Sequence, residues 1–113
     1  MRLDIMCGLA RPSLDVTRGG CYRTDQFWGL YSSDGLMYHE RTGNGWDGKQ
    51  PFGTGDVLRL LLDCDAGTLT VKKNGTLCGT PVTEGLTGDL CWAVCVYEAK
   101  RVRIKTVDPE DWF

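Results

Sequence analysis

Apolar residues in this chain come in short runs or alternate with polar ones, and Gly, Asn or Asp punctuates them. No stretch sustains a helical period, so the pattern predicts strands. Residues 3–9 read as a first strand, closed by Ala10-Arg11-Pro12. Residues 27–31 and 36–39 flank the turn Ser33-Asp34-Gly35 and read as a hairpin. Residues 13–26 are polar and glycine-bearing and read as a long loop. Residues 40–55, with five glycines and one proline, read as a second. The segment 56–82 reads as a three-stranded meander. Its first turn is Cys64-Asp65-Ala66-Gly67. Its second is Asn74-Gly75, two residues that tolerate positive φ and suit a type I′ hairpin. Residues 90–98 and 101–107 are expected to form a last hairpin around Ala99-Lys100. About eight short strands with glycine-rich turns suggest an antiparallel β-sandwich or barrel.

A length of 113 residues suits one domain, and 15 glycines without a repeat agree with many turns. No apolar run approaches the ~20 residues of a helical membrane span. A net charge of −2 offers no bulk attraction for nucleic acid. Lys100, Arg101, Arg103 and Lys105 form the one dense basic cluster. With no aromatic platform interleaved, it reads as a solvated strand face. No signal peptide is legible, because Asp4 interrupts the first apolar segment. The six cysteines (Cys7, Cys21, Cys64, Cys78, Cys91 and Cys95) are therefore expected to be free thiols in a cytoplasmic or nuclear protein.

The candidates for chemistry have plainer readings. His39 is the one histidine, and no cysteine stands in a nucleophile setting, so it reads as an ordinary strand residue. Cys91 and Cys95 suit packing on one strand face better than chelation, and no C-x-x-C pair occurs. Asp63-Cys64-Asp65 suits a turn in which carboxylates accept backbone N–H bonds. No Lys-Ser/Thr follows the glycines near Gly43 and Gly53, which excludes a P-loop. The expectation is no catalytic residue, no metal and no cofactor.

The order of the segments is more specific than any one of them. Ile5-Met6-Cys7-Gly8-Leu9-Ala10 precedes Trp28-Gly29-Leu30 and Asp34-Gly35-Leu36-Met37-Tyr38-His39. Gly55-Asp56-Val57 follows, then Asp63-Cys64-Asp65-Ala66-Gly67-Thr68-Leu69, Asn74-Gly75 and the closing Val102-Arg103-Ile104. This ordered set resembles the SPRY domain family over most of the chain. The resemblance implies an all-β fold, an antiparallel β-sandwich of the SPRY / concanavalin-like type, over residues 1–107, with 108–113 as a tail. Family members usually begin with one more strand, carrying a Trp-Glu pair. A chain starting after it is expected to be an N-terminally shortened sandwich with an open sheet edge. Val71 stands where the family often has an aromatic, and Trp92 where it usually has Pro.

The resemblance further implies a non-catalytic protein-protein interaction module. Such domains serve as recognition arms of ubiquitin ligases or as docking parts of other intracellular assemblies. The expected partner is a protein or peptide, with no nucleic acid and no membrane; a homodimer through the open edge is a further option. Two loops are candidates for contact. Residues 15–26 contribute Arg18, Tyr22 and Arg23, and the Tyr97–Arg101 connection contributes Tyr97 and Glu98. Tyr and Arg are frequent interface anchors. Trp28 and Trp92 are expected in the core. The alternative reading is a carbohydrate-binding, lectin-like sandwich using Asn44-Gly45-Trp46-Asp47, where Trp46 would stack on a sugar ring.

Overall fold

The alternating pattern resolves into two antiparallel sheets. The computed structural model describes residues 4–15, 17, 20, 23–98, 101–105 and 107–112. Among them are strands β1 (Asp4–Ala10), β2 (Phe27–Tyr31), β3 (Met37–His39), β4 (Thr42–Asn44), β5 (Leu58–Asp63), β6 (Thr68–Lys73), β7 (Thr76–Val82) and β8 (Cys91–Glu98). The larger sheet has the order β4-β3-β2-β1-β8, and the smaller is the meander β5-β6-β7.

The inner faces build the main core. Leu9, Trp28, Leu30 and Met37 of the larger sheet meet Leu69, Val71 and Val82 of the smaller, with Leu86 from the loop beyond β7. Leu58, Leu60 and Leu62 of β5 pack against this cluster, which is the face that two-residue periodicity assigns them. The outer face of the larger sheet carries a second cluster of Met6, Ala10 and Phe27. Gly8 and Gly29, opposite each other in the β1–β2 pairing, permit this closeness. A Cβ on Gly8 would lie 1.9 Å from the Trp28 carbonyl oxygen, and one on Gly29 would lie 2.4 Å from the Phe27 ring.

Turn chemistry follows the residues. Asn74 and Gly75 hold φ of 53° and 85°, the left-handed pair of a type I′ turn. Asp63 Oδ1 accepts from the N–H groups of Asp65 and Ala66, both at 3.0 Å. Buried Ser32 ties β1 to the turn after β2: its hydroxyl accepts from Ile5 N at 3.0 Å, and its own N–H donates to the Ile5 carbonyl at 3.0 Å.

Five expectations need correction. Residues 42–44 lie in a strand, β4, rather than in a loop. They return through a two-residue turn in which Glu40 and Arg41 both take positive φ, 51° and 74°. Residues 101–105 and 107 form no strand. Instead of pairing along β8, the chain runs on to a 3-10 turn, Pro109–Trp112, packed against β5. Trp92 is 42% exposed and not core, because the three-stranded sheet is too narrow to cover the inner face of β8. Cys91 is exposed rather than packed; Cys64, in the turn after β5, is exposed as well. Finally, the thiols are not all free. Cys7, Cys64, Cys78 and Cys91 are, but Cys95 is disulfide-bonded. That removes the six-thiol support for a cytoplasmic or nuclear placement.

Candidate protein-interaction face

Tyr97 owes its position to an irregularity in β8. Ile5 pairs with Val96 and Asp4 with Glu98, so Tyr97 is an extra residue between two paired ones. A bulge of this kind re-aims its side chain. The Tyr97 hydroxyl points back at Met6 Sδ, 3.8 Å away, on the outer face of the larger sheet. Its ring meets Tyr31 edge-on, with centroids 6.3 Å apart, and Tyr31 meets Tyr38 in the same way at 5.8 Å. Tyr38 is fixed further by its hydroxyl, which donates to Asp34 Oδ2 at 2.7 Å. The three tyrosines thus run across β8, β2 and β3, with Tyr97 itself 49% exposed.

The loop after β1 borders the same face. Leu14 packs on the Met6–Ala10–Phe27 cluster. Asp15 accepts from the Thr17 hydroxyl at 2.6 Å and from Thr17 N at 3.0 Å. These bonds hold its carboxyl below the usual range. The loop's far end is tied to the β3–β4 turn, where Glu40 N donates to the Thr24 carbonyl at 3.1 Å.

Of the candidates read from sequence, Arg18 and Tyr22 lie outside the described residues. Arg23 is exposed in this loop, and its N–H donates to the Gly20 carbonyl at 2.9 Å. Glu98 is exposed at the end of β8, opposite Asp4. Tyr31 and Tyr38 were missed. Strand alternation could have put each on a face, but their meeting with Tyr97 depends on the bulge and on the β2–β3 register.

The inner side carries a groove of about 580 Å³, where β2, β3 and β4 meet the chain leaving β7 at Pro81 to Gly85. His39 lines it. Nδ1 lies 2.8 Å from the Phe27 carbonyl, an acceptor only, so that nitrogen carries the proton. Arg11 sits over the Trp28 ring at 5.2 Å and donates to the carbonyls of Thr87 and Asp89, fastening the loop beyond β7. Trp46 is not an open platform. It packs against the main core, and its Nε1 donates to the Gly35 carbonyl at 2.8 Å. The ring proposed for sugar stacking is therefore engaged within the fold.

The SPRY domain family profile matches residues 4–108, most of the chain. This chain belongs to the SPRY domain family. SPRY domains are generally protein-protein interaction modules and typically non-catalytic. No individual curated relative matches the chain. Among the described residues of this SPRY domain the two sheets are unequal, five strands over three. The tyrosine face lies on the wider one.

Proposed function

We propose that this SPRY domain recognises a peptide segment or a protein surface with the outer face of its larger sheet. Tyr97, Tyr31 and Tyr38 supply the anchors, and the loop after β1, whose Leu14 packs on the same face, flanks them; Arg18, Tyr22 and Arg23 are the loop's proposed contact residues. Glu98 adds a charge at the rim. The observation that carries this reading is the half-exposed Tyr97, which a bulge turns onto Tyr31 beside that loop. Tyrosine suits such a role, because it offers a rigid apolar ring with a polar tip at little entropic cost. On this reading the domain is a recognition arm: the substrate-binding part of a ubiquitin ligase, or a docking part of another assembly.

The test uses peptides selected from a display library on the wild-type domain. Tyr97→Ala should weaken the selected ligands by about 1 kcal/mol or more, roughly fivefold, with the melting temperature nearly unchanged. Arg18→Ala should act in the same direction. Equal binding by wild type and both variants overturns the assignment of this face.

A further inference from the structure

The smaller sheet has an outer face of its own, turned away from the core and from the tyrosines. Arg59 and Lys72 are directly paired across β5 and β6, and Lys72 is paired with Leu77 on β7. Their neighbour Val71 is buried in the core, so alternation places this row outward. Beside it lie Leu61 and Thr70, with Thr70 and Thr80 hydroxyls 3.2 Å apart. Two cations set directly opposite each other on one face are unfavourable for the sheet alone. They suit a surface that receives an anionic partner.

That surface is occupied. The 3-10 turn Pro109–Trp112 packs against β5. The Trp112 ring lies under the Lys72 ammonium, 4.4 Å from centroid to Nζ, and Lys72 Nζ also donates to the Trp112 carbonyl. The segment bringing the ring is acidic, with Asp108, Glu110 and Asp111 within four residues. Asp108 shapes it by accepting from Glu110 N at 3.1 Å. Cation and aromatic face match in chemistry, and the segment that carries the ring is acidic in sequence.

We propose that the outer face of the β5–β6–β7 sheet is a second docking site, for an acidic segment carrying one aromatic side chain, and that residues 108–112 are its resident occupant. Among the described contacts, Lys72 holds the segment by a cation–π contact and a hydrogen bond. A single 3-10 turn outside the strand ladder opens locally without unfolding the sheet. A partner segment of the same chemistry therefore binds by displacing it, and its apparent affinity is the intrinsic one multiplied by the fraction of chains in which the site is open.

The experiment follows a labelled peptide of residues 108–113, Asp-Pro-Glu-Asp-Trp-Phe, by fluorescence anisotropy on the full chain. Trp112→Ala should bind it about tenfold more tightly than wild type, because its own occupant is weakened. Adding Lys72→Met to Trp112→Ala should abolish binding, as should replacing Trp by Ala in the peptide. Thermal melts confirm that each variant is folded. If Trp112→Ala does not fold, wild type and Lys72→Met are compared at high peptide concentration, and binding must be confined to wild type. Equal binding by the variants compared, or none by any folded one, overturns the proposal. Tyr97→Ala, on the other sheet, should leave this titration unchanged, so the two sites fail separately.

Discussion

The imidazole of His39 lies flat on the indole of Trp28, with ring centroids 4.5 Å apart and planes within 8° of parallel. The contact joins the last residue of β3 to the middle of the core, and the Nδ1 bond to Phe27 holds the ring in register with β2. His39→Ala should remove both and destabilise the domain by about 1–3 kcal/mol. Trp28→Ala should cost more, about 3–5 kcal/mol, as a truncation of a large buried ring. Urea unfolding of the two variants checks the ranking.

The free cysteines should separate by reactivity. Burial pushes the Cys7 thiol up to about 12, so it stays protonated and inert at pH near 8. Native alkylation there should label Cys64 and Cys91, which are exposed, and spare Cys7. Denaturation without reductant should add Cys7, and Cys95 should require reduction. Peptide mass spectrometry reads each site. Labelling of Cys7 in the native chain, or of Cys95 without reductant, contradicts these assignments.

Acid should loosen the β6–β7 end of the smaller sheet through Asp56. Its carboxyl is held below the usual value, first by the Asn74 side chain, whose Nδ2 donates to Asp56 Oδ1 at 2.8 Å. The N–H of Gly53 and the charge of Lys73 add to the effect. A depressed carboxylate stabilises the folded state fully above its unfolded value, and that contribution is lost as pH falls through the folded one. Asp56→Asn should therefore lower the melting temperature at neutral pH and flatten its decline in acid. Melts from neutrality down to about pH 3 span the unfolded carboxylate range.

Among the described residues β8 ends the larger sheet with one edge unpaired, and it carries the exposed Trp92 and Val96, the latter 56% exposed. Such an edge pairs with another chain unless charge or Pro blunts it. Concentration-dependent self-association is the expected behaviour, and Val96→Lys should suppress it without lowering the melting temperature. Sedimentation of the two chains over a range of concentrations decides. A wild type that remains monomeric throughout removes the homodimer.

The sequence was most legible where a local signal carried the structure. β6 and β7 fall at the residues that two-fold alternation and Asn74-Gly75 mark for them. β4 was hidden because Glu40-Arg41 carries no turn signature and Thr42-Gly43-Asn44 has no apolar alternation. The 101–107 stretch shows the reverse. Its alternation is real, but whether an alternating segment joins an edge depends on what else the chain can reach, here the β5–Lys72 surface. Tyr97 could be singled out as an exposed aromatic anchor. Its meeting with Tyr31 required a one-residue slip between β1 and β8, which no periodicity encodes.

The five-over-three mismatch of the sheets also sets the order in which the molecule opens. β1 and β2 are paired on both sides and covered by the smaller sheet, whereas among the described residues β8 pairs with β1 alone, and Trp92 and Val96 on its inner face are exposed. Peeling β8 away uncovers the Met6 cluster, on which Ala93 and Cys95 pack, but removes no member of the Trp28–Leu69 core. Amide hydrogens of β8 therefore exchange with solvent from a partly opened form, well before those of β2, which wait for global unfolding. In hydrogen-exchange terms the domain is a slow nucleus with one fast-exchanging margin, and Tyr97 sits on that margin.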